Sequence, residues 1–336
     1  APKGFKSNPP RINYGKIGGQ IAALRSPSVN TRHVGFMKLK ARGDAVLPQV
    51  QRVLRSKNRF ISARAIWLMA QLGPKGKAQV RRLLKSENEQ RRLVALRALR
   101  RAGEDPAKLA RQMAKDPSAA VRRDAMLALR DVPLKQAVGT LLTLAQQFDG
   151  QDRHYLDAMG IGAFGKETAL YNRLKKELGT NSTKWSESTA WLAWRLTPPQ
   201  AVKDYKARAL SKGVSLADRK RMMTAIAFVP TKLAANAMVE LAGNPSFPFK
   251  ADALWWLFNR MNNEWKEFGV GAVLKAKGLY DPDVIQLTPV MMPTAPPMKS
   301  KLPPIAEIAK IKGDVARGKM ASVICQTCHQ LGKVGY

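Results

Sequence analysis

The chain has 336 residues, 45% of them hydrophobic, which is enough to bury a sizeable core and excludes a disordered chain. No run approaches 18 apolar residues, so no transmembrane helix is expected, and two cysteines are too few for a disulfide-built scaffold. Lys and Arg number 58 against 24 Asp and Glu, a net +34, and residues 1–130 alone carry 30 basic and 7 acidic groups. Such a field attracts anionic partners such as nucleic acid, acidic proteins or anionic lipid, although charge governs association and solubility and not fold.

The opening "APKGFKSNPPRINYGK" has no methionine, no apolar h-region and no cleavage pattern. The expectation is a chain that starts after a removed signal peptide or inside a larger polypeptide, with residues 1–19 as an extended lead-in.

From residue 20 to 285 one pattern recurs: a polar entry, an arginine, then an apolar helix face. It reads "SPSVNTRHVGFMKL" at Arg32, "NRFISARAIWLMAQLG" at Arg64, "NEQRRLVALRAL" at Arg92 and "DPSAAVRRDAMLALR" at Arg122. Weaker copies centre on Arg153, Glu187, Arg219 and Lys250, giving anchor spacings of 32, 28, 30, 31, 34, 32 and 31. A second apolar-periodic segment lies between anchors, with Val46, Val50, Val53 and Leu54 on one helical face. A period near 31 with two helices per unit predicts an all-α fold, an α-solenoid of about eight helical hairpins.

The region resembles HEAT repeats, on the strength of the "D/N-P-S-x-x-V-R" opening above all. In that opening Asp, Asn or Ser caps the second helix and the arginine is expected to reach a neighbouring unit's carboxylate or carbonyl. "GIGAFG", Gly160 to Gly165, follows a helical stretch instead of a strand, so it reads as a turn between helices and not as a dinucleotide fingerprint. Trp185, Trp191, Trp194, Trp255, Trp256 and Trp265 fall on apolar helix faces and are expected in the core. His33 and His154 are expected on helix surfaces.

Residues 286–304 break the pattern, with six prolines between 289 and 304, and read as a semi-rigid extended linker. Three methionines lie in it, Met291, Met292 and Met298, whose thioethers are candidate metal ligands, although such residues more often fill packing gaps.

Residues 305–336 contain "CQTCHQLGKVGY", which places both cysteines and one of three histidines in a single pentapeptide. C-x-x-C-H is the attachment motif of c-type haem. Two thiols three residues apart match the two vinyl groups of the porphyrin, and the following imidazole is placed to take the iron. A structural zinc site would need four ligands, and a thioredoxin-type pair would need a βαβ setting. The flanks "GDVARGKMASVI" resemble the first helix of class I cytochrome c domains. The whole order of solenoid, proline-rich linker and motif resembles the haem-binding C-x-x-C-H proteins with HEAT repeats of Planctomycetes and Verrucomicrobia.

That resemblance implies haem c held by thioethers at Cys325 and Cys328, with His329 as proximal iron ligand. It also implies electron transfer outside the cytoplasm, in the periplasm or at the cell surface. The solenoid would be a docking scaffold for an acidic redox partner or for a sugar- or alcohol-oxidising dehydrogenase domain. The chain departs from the family at Ala321, where a phenylalanine is usual, and only seven residues follow His329. These departures imply the N-terminal part of a truncated cytochrome c domain, without catalytic activity of its own. The alternative is a basic nucleic-acid-binding solenoid resembling DNA glycosylases of this architecture, or a plain interaction scaffold; base chemistry would need an acidic residue in an aromatic cleft, and the tryptophans lie mostly outside the basic half.

Overall fold

The computed structural model describes residues 11–281, 284 and 303–330, and every regular element among them is helical. Contacts divide the chain into two units, residues 1–282 and 283–336.

The first unit is a series of eight helical hairpins. They pair α1 (Ile17–Arg25) with α2 (Val29–Ala41), α3 (Leu47–Leu54) with α4 (Arg59–Met69), α5 (Pro74–Leu83) with α6 (Glu89–Arg101), and α7 (Pro106–Met113) with α8 (Ala119–Ala128). The series continues with α9 (Leu134–Ala145) and α10 (Arg153–Gly162), α11 (Glu167–Leu178) and α12 (Glu187–Leu196), α13 (Val202–Leu210) and α14 (Leu216–Ala227), and α15 (Lys232–Gly243) and α16 (Lys250–Arg260). A short helix, α17 (Val270–Ala276), follows. The even-numbered helices touch one another in unbroken order along the array. The all-α, solenoid-like expectation therefore holds.

Each helix buries one face against its neighbours, so the core is a ribbon that runs the length of the array, from Leu24 through Ile66, Leu96, Met126 and Met159 to Leu274. Glycine permits close approaches between helices: a Cβ at Gly35 in α2 would lie 2.8 Å from the Gln20 carbonyl of α1, and one at Gly162 in α10 would lie 2.5 Å from the Met126 carbonyl of α8. The first helix begins at Ile17, inside the stretch expected to be an extended lead-in. Gln20 there donates to the Tyr14 carbonyl at 2.7 Å, and Arg42 donates to the Gly15 carbonyl at 3.0 Å, so the entry is tied to the first hairpin.

The caps set the register. Ser28, Asn58 and Asn88 accept hydrogen bonds from the first turns of α2, α4 and α6, and Ser118 holds the same place before α8. These four positions are 30 residues apart. The residue two before each cap, Ser26, Ser56, Ser86 or Asp116, accepts the cap's own amide through its side chain. The repeat arginines stand four residues after the cap. Arg32, Arg92 and Arg122 each fold back onto the carbonyls six and five residues upstream: Ser26 and Pro27, Ser86 and Glu87, Asp116 and Pro117.

In the second unit of the repeat that position belongs to Ser62, not to Arg64. Ser62 donates to the Leu54 carbonyl at 2.9 Å. Arg64, two residues on, reaches instead across to the first hairpin and donates to the Leu24 and Ser26 carbonyls, both at 3.1 Å. The anchor sequence 32, 64, 92 thus conceals a strict 30-residue period. Arg92 fits the expected inter-unit role as well, gripping Asp116 with two bonds of 2.7 and 2.8 Å.

Other expectations resolve residue by residue. Trp185 and Trp265 are buried, and Trp191, Trp194 and Trp256 pack against the core, but Trp255 is 55% exposed. It sits on the outer side of α16, edge-to-face with Trp256 at 4.9 Å, so the apolar stripe of that helix is wider than the face its neighbours cover. His33 and His154 are exposed on their helices. Gly160 and Gly162 lie within α10, so the "GIGAFG" run is the end of a helix followed by a turn at Gly165, whose φ is +71°. No helix among the described residues is long and apolar enough to cross a membrane.

Candidate functional site

In the second unit the described residues form α18 (Ile305–Ile308), α19 (Val315–Ala321) and one 3-10 turn at Cys325–Thr327. Asp314 caps α19 by accepting from the Arg317 amide at 2.8 Å. The chain leaves that helix through a hydrogen bond from the Ser322 amide to the Gly318 carbonyl at 3.0 Å, followed by one from the Gln326 amide to the Ser322 carbonyl, also at 3.0 Å.

The Cys325 carbonyl then accepts two amides, Cys328 N–H at 3.2 Å and His329 N–H at 2.9 Å. One carbonyl therefore gathers all three chemistry-bearing residues of the pentapeptide onto a single turn. Thr327 secures it from within by donating its hydroxyl to the Ile324 carbonyl at 2.6 Å. Cys325, Cys328 and His329 are all exposed, and both cysteines are free thiols.

Among the described residues, no three His, Cys, Asp or Glu side chains converge on a point a metal ion could occupy, the pentapeptide included. No described residue from 303 to 330 is buried. Val315 is 88% exposed, Ile324 81% and Met320 69%, so the stretch leading into the turn carries bare apolar side chains. Met291, Met292 and Met298, and all of the expected linker except Pro303 and Pro304, lie outside the described residues.

A second surface of interest lies on the array. Through residue 86 the sequence holds 19 Lys and Arg and a single carboxylate, Asp44. That carboxylate is already engaged, accepting the Lys75 and Gly76 amides at the start of α5 at 3.1 and 2.9 Å. Between α4 and α6 a cleft of about 440 Å³ opens, lined by Lys57, Arg59, Phe60 and Arg91 at the mouth and by Ile66 and Val94 among its walls. Cationic composition pointed to this half of the chain, but the cleft itself has no positive sequence signal. Its one trace is the serine at position 62, where the register otherwise places arginine.

Farther along, some cations are held in a paired cluster. Arg208 and Arg221 both bind Asp218, and Arg221 also bonds Glu187 while its guanidinium lies 3.6 Å from the centre of the Trp191 ring. No protein-family model matches the chain, and no curated protein matches it.

Proposed function

We propose that the pentapeptide Cys325–His329 attaches haem c and that the protein carries electrons, with the helical array as its docking scaffold. The observation that carries this reading is the exposed C-x-x-C-H turn, with two free thiols and an imidazole gathered by one carbonyl and preceded in the chain by exposed apolar side chains. Cys325 and Cys328 would hold the group through thioether bonds, each thiol adding across one vinyl group, and His329 would ligate the iron. Haem bound there supplies a one-electron ferric/ferrous couple whose potential depends on the axial ligands, hydrogen bonding and burial.

The chain's own residues set the conditions for that couple. Thr327 and the Cys325 carbonyl fix the turn, and the exposed side chains of Val315, Met320 and Ile324 supply apolar surface for a large flat group to cover. Because thioether attachment takes place outside the cytoplasm, this reading places the protein in the periplasm or at the cell surface. It makes the partner a redox protein or a dehydrogenase domain, and the array's excess of cations favours one with an acidic surface.

The test is expression in a host with c-type maturation machinery. An intact mass increased by one haem and a thioether-type pyridine haemochrome spectrum are expected. Both thiols free, with no visible absorbance, would end the proposal.

A further inference from the structure

The loops that join odd to even helices all open on one edge of the array. At the same place in four successive units that edge carries Arg25, Arg55, Lys85 and Lys115, 30 residues apart and all exposed. Helices packed side by side lie about 8–10 Å apart, so equivalent residues recur at roughly that distance. None of the four side chains has a carboxylate or hydrogen-bond partner among the described residues, and Asp44, the sole carboxylate before residue 87, is held by backbone amides.

On the same edge, successive even helices leave clefts. The one between α4 and α6 measures about 440 Å³, and a smaller one between α2 and α4 measures about 290 Å³ and includes Val29, His33 and Trp67. No carboxylate lines either. The larger cleft stands where the arginine ladder is interrupted. In the third and fourth units the long side chains of Arg92 and Arg122 run beneath the loop to its carbonyls, and in the second unit Ser62 does not.

The geometry points to a docking site for an extended acidic segment of a partner polypeptide, with its carboxylates on the cation stripe and one apolar side chain seated in the α4–α6 cleft. An extended chain advances about 3.3–3.6 Å per residue, so every third residue meets the next unit's cation. The cleft's aliphatic lining comes from Ala63, Ile66, Leu93 and Val94, beside polar Ser62, Asn88 and Gln90, and offers a seat for a side chain such as Leu or Phe. Phe60 is the one aromatic ring at the mouth, and the Arg59 guanidinium already lies 4.9 Å from its centre, which leaves a poor platform for stacking a series of bases. A polypeptide is therefore favoured over single-stranded nucleic acid. The site does not depend on haem attachment.

Fluorescence anisotropy of the full chain tests this with three labelled probes: a peptide bearing Glu at every third position and a central Leu, the same peptide with Ser for that Leu, and oligothymidylate. The first should bind, and loss of the Leu should weaken binding about tenfold. Ser62→Arg restores the ladder residue and fills the cleft while adding a positive charge. It should weaken the Leu peptide about tenfold, to the level of the Ser peptide, whereas attraction by charge alone would tighten both. Arg55→Glu with Lys85→Glu, both at exposed positions, should weaken both peptides and serves if Ser62→Arg does not fold. Three outcomes overturn the proposal: oligothymidylate binding tighter than the Leu peptide, Ser62→Arg binding it as well as the parent does, or no probe binding at physiological salt.

Discussion

Ile66 and Ile324 both stand in helical turns rich in apolar residues, yet Ile66 is 1% exposed and Ile324 is 81% exposed. In the array each unit's apolar face is covered by the next, so a face read from periodicity finds its partner automatically. The turn around Cys325 presents the same kind of face with none of it covered among the described residues. The difference teaches that helical periodicity announces only that a surface needs cover. Repetition says what covers it in the first case; in the second the proposed haem would be the cover.

The sharpest break in that comparison comes from the pentapeptide. Cys325→Ser with Cys328→Ser should abolish covalent haem entirely while leaving the array's melting temperature unchanged. His329→Ala should retain the covalent group and alter its absorption spectrum. Hydrogen exchange adds a second reading: amides of residues 315–329 should exchange freely in the unloaded protein and become protected in the loaded one, while those of α4, α6 and α8 stay protected in both. A fall in array stability in the cysteine variant would show that the two regions are not energetically separate.

Inside the array the largest single effect should come from Asp116. Its carboxylate takes two bonds from Arg92, and Asp116 and Arg92 are both buried. The Arg92 pKa is raised by that hydrogen bonding. Asp116→Ala would leave a buried guanidinium without its counter-ion, at a cost of about 3–5 kcal/mol. Urea unfolding measures it, and haem attachment should be untouched. A loss under about 1 kcal/mol would mean that solvent already screens the pair.

The array's buried tyrosines give an effect of intermediate size. Burial raises the pKa of Tyr155, Tyr171 and Tyr205 above the ordinary 10.0, and for Tyr171 a 2.5 Å hydrogen bond to Asp204 raises it further. The folded state therefore holds these protons more tightly than the unfolded chain. Stability should be constant up to about pH 10 and fall above it by up to about 1.4 kcal/mol per pH unit for each tyrosine. Urea unfolding from pH 8 to 11 reads the slope, and a flat profile would contradict it. The described part of the second unit has no tyrosine and should not share in this loss.

How much of this was legible in the sequence depends on which residues carried the signal. Hairpins and caps were legible, because Ser28, Asn58 and Asn88 perform a local task that names itself. Aligning the second unit on Arg64 shifts it by two residues, since arginine identity attracts the eye where cap geometry sets the register. The cleft at Ser62 was barely legible, because its one trace is a side chain that is missing from a series. Trp255 misleads for a related reason: periodicity assigns it to a face but cannot say how wide a strip of that face the neighbours cover. The pentapeptide stands out in the sequence as a motif, and the structure adds the turn at the Cys325 carbonyl, which the spacing alone does not give.

The smallest effect separates the two regions most finely, because it applies one change to both. Asn88 caps α6 by accepting the Arg91 amide at 3.0 Å, and Asp314 caps α19 by accepting the Arg317 amide at 2.8 Å. Either residue changed to Ala forfeits about 1 kcal/mol of local helix stability. Asn88→Ala should pass that loss to the whole array, since α6 unfolds only with its packed neighbours, and the urea midpoint should fall accordingly. The seven residues of α19 are too few to persist alone in water, and none of them is buried. Asp314→Ala should therefore leave the global midpoint where it is and show itself only as faster amide exchange from residues 315–321 in the haem-loaded protein. Equal shifts in the global midpoint from both substitutions would mean that the second unit unfolds together with the array, and the contrast between a self-covering solenoid and a segment without cover among the described residues would fail.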